Sequence, residues 1–172
     1  YLLTRTYDTN FRKFLAGNLS TKPLPPSSDA LFQQYGQNIN LIKSISDEVI
    51  YHPVKYKVLF GSNADESLQA TFKVVKNTEN VVNDNDVKVR IIQAINQYFA
   101  LTNWEFGETF HFTELATYVM NTLAPDIVNF IIVPKQGTQS FGSLFEIKSE
   151  NDEIFVSDAK VQDVEVIDSI TA

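Results

Sequence analysis

Two apolar stripes at helical spacing, separated by a short aromatic stretch, constrain this chain more than any other feature. In "NDNDVKVRIIQAINQYFAL", Ile91, Ile92, Ile95, Tyr98 and Phe99 recur every three or four positions. Phe112, Leu115, Ala116, Val119, Met120 and Leu123 repeat the pattern further on. Such stripes are stable only when something apolar covers them. The first predicts a helix over 86–101, with Asp84, Asn85 and Asp86 available to cap the free amides of its first turn. The second predicts a helix that starts at Thr113 as N-cap and ends before Pro125.

The cover must come from strands. "DEVIYHPVKYKVLFG" and "SLQATFKVVKN" are rich in β-branched and aromatic residues and flank the turn-prone "GSNADE", which predicts a hairpin with Pro53 at an edge or strand start. "DIVNFIIVP" has the length and apolar run of a strand buried on both faces. "SLFEIKS" and "IFVSDA" flank a polar turn, and "VEVID" is one strand more. Two central helices with about six strands predict an α+β fold: a two-layer sandwich of the helices against a mostly antiparallel sheet. Ile92, Ile95, Phe99, Leu115, Val119, Phe130 and Ile132 are its expected core.

Upstream, "NFRKFLAGN" suits one short helix closed by Gly17, and the three prolines of "TKPLPPSSDA" predict an extended connector. The expected division is therefore an irregular N-terminal segment and connector over 1–45 and the α+β domain over 46–172. The chain begins at Tyr1, and "VEVIDSITA" runs to its last residue without a turn signal, so it is expected to be a piece of something longer.

Composition narrows the function. With 172 residues the chain is long enough to bury about 70% of its unfolded surface. It has no cysteine, which removes disulfides, thiolate metal sites and a thiol nucleophile and fits synthesis in a reducing cytosol. No apolar run approaches the ~18 residues of a membrane span, and no signal peptide is visible. The net charge is −7, of which 144–168 carries −6, from eight acids against Lys148 and Lys160. Clustered Lys and Arg for a phosphate backbone are missing, so no nucleic-acid partner is expected. The acidic strands offer either a solvated face or a surface for a basic protein.

The stretch "NWEFGETFHFTELATYVM" contains Glu108 and His111 at the Glu-x-x-His spacing of di-metal helix bundles. That spacing binds metal when both residues share one helix face and a second pair opposes it. Here Gly107 precedes the pair, the helical stripe starts only at Phe112, and the other histidine, His52, stands beside Pro53. "NDND" lacks the glycine and distal glutamate of a calcium loop. "GTQSFG" around Ser140 lacks the spacing of a nucleophile elbow, and "FGSNADES" lacks the second glycine and lysine of a phosphate loop. No catalytic residue, metal, cofactor or small-molecule ligand is expected. Paired carboxylates acting on glycans are the alternative chemistry. Trp104, Phe106 and Phe110, together with Glu150, Asp152 and Glu153, are the candidate protein-contact residues, since interfaces favour large rings.

The successive signatures "I-x-x-Y-F", "W-x-F-G-E-x-F", "F-T-E-L", "P-D-I", "FGSLFEI", "DEIFVS" and "DVEVID" carry a family likeness over 89–172, about half the chain. This part resembles the C-terminal part of the baseplate wedge proteins of T4-like contractile-tailed bacteriophages, which are similar to the J proteins of simpler phage baseplates. Residues 1–76 carry none of it. The resemblance implies a non-enzymatic structural subunit, placed in the virion tail after assembly in the host cytoplasm. It also implies partners: copies of itself and neighbouring wedge proteins, in a ring that rearranges when the sheath contracts.

Overall fold

The computed structural model describes residues 1–42, 50–81, 83–137, 141–142 and 145–167. The fold is α+β. In chain order, α1 is Arg5–Leu15, α2 Ser28–Ile42, β1 Lys55–Leu59 and β2 Ala70–Lys76. α3 is Asp84–Tyr98, β3 Thr109–His111, α4 Phe112–Leu123 and β4 Ile127–Pro134. β5 Glu146–Lys148, β6 Glu153–Ser157 and β7 Val164–Ile167 complete it.

α3 is the first expected helix, shifted towards the N-terminus. Its cap is Asn83, whose side chain accepts the Asn85 amide, so Asp84 and Asp86 sit inside the first turn, where the helix dipole favours them. It ends at Tyr98 because Phe99 leaves helical geometry to enter the core, and Leu101–Asn103 forms a separate single turn. α4 starts one residue before the expected cap: His111 precedes it, and Thr113 lies inside the helix with its carbonyl accepting the Thr117 hydroxyl at 2.8 Å. The cause is Phe112, which is buried with its ring 4.1 Å from that of Phe141 and so belongs to the helix face rather than to the loop.

The sheets are mixed rather than mostly antiparallel. β2 is the centre of a three-stranded sheet, antiparallel to β4 and parallel to β7. β1 pairs with β6 in parallel, and β3 with β5 antiparallel. The expected β1–β2 hairpin does not form; only an isolated bridge, Phe60 to Gln69, joins their ends. Gly61 explains the departure. A Cβ there would lie 2.0 Å from the Asp158 carbonyl oxygen, so the chain leaving β1 is pressed against the end of β6 instead of turning back. The polar turn before Glu153 likewise separates two true strands, but β5 and β6 belong to different sheets.

The main core gathers Leu59, Phe60, Phe72, Ile91, Ile95, Phe99, Phe110, Leu115, Val119, Phe130 and Phe155. Of the expected core, Ile95, Phe99, Leu115, Val119 and Phe130 are buried, while Ile92 and Ile132 are half-buried at its rim. β4 is a sheet edge with one open face, not a strand covered on both sides, and Val128 is 61% exposed.

The N-terminal stretch holds two helices where one short helix and irregular chain are expected. α1 is capped by Thr4 and buries Tyr7, Phe11 and Leu15 against Val54, Tyr56, Val58, Ile154 and Val156. The β1–β6 pair is therefore covered on both faces, because alternate residues of β6 point to opposite sides: Phe155 to the main core, Ile154 and Val156 to α1. The expected boundary at 45/46 lies outside the described residues. Among the described residues no helix is long and apolar enough to cross a membrane.

Candidate interface

The aromatic stretch after α3 is folded back on the turn between β5 and β6. Gly107 (φ +77°) makes this possible: its N–H donates to the Glu153 carbonyl at 3.3 Å, and an added Cβ would stand 3.1 Å from Asn151 Oδ1. Trp104 is held from three sides. Its indole stacks on Phe99 (5.4 Å, 11°), meets Phe155 edge-on at 5.1 Å, and donates from Nε1 to the Tyr98 carbonyl at 2.9 Å. Phe106 points outward, 38% exposed, with its ring 6.1 Å from that of Tyr1, which also lies 5.4 Å from His52. Tyr1, Trp104, Glu105, Phe106 and Asn151 line a cleft of about 500 Å³.

Of the six expected contact residues, Trp104 and Phe106 line this cleft; Glu150, Asp152 and Glu153 flank Asn151 in sequence without lining it, and Phe110 lies elsewhere. It is wholly buried, 4.8 Å from Phe112 and 5.2 Å from Phe99. As the middle residue of β3 it points opposite to Thr109 and His111, and that side of the strand is the core.

The acidic strands are not an open negative face. Asp152 pairs with Lys55 at 3.3 Å, Glu153 with Lys57 at 3.2 Å, and Asp163 with Lys135 at 2.7 Å. Asp158 pairs with Lys160 at 3.1 Å, Glu165 with Lys73 at 3.9 Å, and Glu146 approaches His111 at 3.7 Å. Charge counted along the chain is not charge counted in space: β6 and β7 lie beside β1 and β2, whose lysines face them. Glu150 is exposed and has no cationic partner among the described residues; Asp168 lies outside them.

Glu108 and His111 are carried by and beside a strand, where residues three apart point to opposite faces, so the Glu-x-x-His pair does not converge. Glu108 instead accepts the Glu105 amide at 2.9 Å. Among the described residues no three His, Cys, Asp or Glu side chains are grouped to hold a metal ion. Ser140 lies outside the described residues. "GSNADE" is a structural turn, with Asn63 donating its backbone N–H and Nδ2 to Asp158 Oδ2 at 3.0 and 2.9 Å.

A second cleft, of about 440 Å³, also has Trp104 in its lining. Tyr98, Asn103, Glu108, Thr109, Glu114 and Tyr118 complete its lining. Tyr98 stands 5.3 Å from Tyr118 and 5.6 Å from Trp104, and its hydroxyl donates to Glu114 at 3.5 Å. Burial pushes the Tyr98 phenol up to about 12, and the negative charges of Glu114 and Glu108 add to the effect. No motif marks this cleft, because its residues come from α3, the loop, β3 and α4. No family model matches the chain, and no curated protein matches it.

Proposed function

We propose that the chain is a structural component of a contractile-tail baseplate wedge, acting through contacts with copies of itself and with neighbouring wedge proteins. One observation carries the contact reading: Tyr1, Trp104 and Phe106, three large rings, gather at one solvent-facing cleft, with Phe106 38% exposed. Rigid rings of this kind bury large areas at little entropic cost. The baseplate setting, the virion location and the identity of the partners rest on the resemblance of 89–172.

Sedimentation equilibrium over a wide concentration range, alone and with purified baseplate proteins, tests it. Concentration-dependent mass or complex formation, weakened by Phe106→Asp, is the expected result. A chain that stays monomeric and binds none of those proteins overturns the reading.

The alternative, glycan hydrolysis by paired carboxylates, has a geometric candidate in Glu108 and Glu114, which both line the Tyr98–Tyr118 cleft. Both accept hydrogen bonds, from the Glu105 amide and the Tyr98 hydroxyl, whereas a glycosidic leaving group needs a donor. Soluble sugar released from purified cell wall would favour hydrolysis.

A further inference from the structure

The cleft behind Trp104 combines two features that rarely share a surface without a purpose in recognition: ring faces and uncompensated carboxylates. Tyr98, Trp104 and Tyr118 form its walls, and Glu108 and Glu114 reach it from different elements, one just before β3 and one in the first turn of α4. Six acids of the C-terminal strands face a lysine or histidine of the same chain. Among the described residues neither Glu108 nor Glu114 has an ion pair, and no Lys or Arg lines the cleft. Along α4 the hollow continues past Thr113, Thr117 and Asn121, again without a cation.

We propose that this cleft receives an arginine side chain of a protein partner. A guanidinium is flat and delocalised, stacks on ring faces, and presents a fork of N–H donors to carboxylates. An ammonium would use the charge but not the flat walls. The site is built before the ligand arrives: Trp104 is pinned through Nε1 to the Tyr98 carbonyl, and Asn103 Nδ2 donates to the Gln97 carbonyl at 2.9 Å. Little ordering cost remains on the protein side. This inference does not rest on the assembly reading, since it concerns a different cleft, sharing only Trp104 with the first, and is tested without any baseplate protein.

Trp104 is the only tryptophan, so its emission reports on the cleft directly. The whole chain is titrated with acetyl-Gly-Arg-Gly-amide and with the same peptide carrying citrulline, the neutral isostere of arginine. A saturable change is expected for the arginine peptide alone, with affinity about tenfold weaker in Glu114→Gln, the cost of replacing one charged hydrogen bond by a neutral one. Glu108→Gln, which keeps an acceptor for the Glu105 amide, is expected to weaken binding likewise, and Glu79→Gln, exposed and outside the cleft, to leave it unchanged. Equal titration by the citrulline peptide, an affinity untouched by both cleft variants, or no saturable response overturns the proposal. A saturable response to a soluble chitooligosaccharide with none to the arginine peptide also overturns it, assigning the cleft to glycan instead.

Discussion

The carboxylate of Asp158, buried at the end of β6, accepts two hydrogen bonds from Asn63 across most of the length of the chain. Its other oxygen faces the Lys160 ammonium, which also donates to the Leu15 carbonyl at 2.7 Å. Asp158 and Lys160 together therefore tie the turn after β1, the end of β6 and the end of α1. Asp158→Ala leaves the Asn63 donors without their acceptor and the Lys160 ammonium with the Leu15 carbonyl but no counter-charge, and is expected to cost about 3 kcal/mol. Urea unfolding at neutral pH measures it, and a loss below about 1 kcal/mol would show that water replaces the carboxylate.

Gly61→Ala probes the same junction from the other chain. The new methyl would meet the Asp158 carbonyl group as well as its Oδ2, and the backbone contact cannot be relieved by moving a side chain, so the strand end must shift. The expected cost is about 1–3 kcal/mol, and truncating Asp158 as well should not relieve it. Full recovery in the double variant would locate the clash in the carboxylate.

Phe99→Ala removes a ring that touches Phe60, Phe110 and Trp104 together. A loss of about 3–5 kcal/mol is expected. Because Phe99 stacks on the sole indole, the emission of the folded variant should also move to the red, which separates a local cavity from a global weakening.

The ion pairs of the C-terminal strands should differ in worth according to burial. Lys73 and Glu165 are both well exposed, so Lys73→Met is expected to change stability by less than about 1 kcal/mol. Asp163 is buried and also accepts the Lys160 amide, so Lys135→Met strands a charge and is expected to cost about 3 kcal/mol. Equal effects from the two lysines would mean that Asp163 is solvated.

Alkaline pH should weaken the fold through Tyr98. Its phenol is raised from 10.0 to about 12 by burial and then by Glu114 and Glu108, so the folded chain holds a proton that the unfolded chain releases. Stability from this group is fully present below pH 10 and is lost as pH rises through about 12. Tyr56 is shifted in the same direction by burial and by Asp8. In Tyr98→Phe the fall in the urea midpoint across this window should be shallower than in the parent chain.

What was legible in the chain was local. The spacing of Ile91, Ile95, Leu115 and Val119 placed both central helices and most of the core, because amphipathic periodicity survives any tertiary arrangement. Strand existence was legible for the same reason. Strand partners were not, since the alternation in β1 and β2 says which residues make a ladder and nothing about which ladder. Long-range packing decided that, through Gly61 against Asp158 and the lysines of β1 against Asp152 and Glu153. The contact corner was readable as an aromatic segment, but Phe110 within it could be told from Phe106 only once the phase of β3 was known. The Tyr98 cleft had no linear signature at all.

The parallel pairings have a consequence in time. β1 waits for β6 and β2 for β7, with partners more than 90 residues apart in both cases. A ribosome releasing this chain from its N-terminus delivers the lysine-bearing strands long before the acidic ones that flank and neutralise them. Until β7 emerges, β2 is an open edge bordered only by β4, and Lys57 and Lys73 face no carboxylate. β6 and β7, made long after their partners, thus act as the clasp of the fold, and the nascent chain stays sticky and basic on that side until the clasp closes.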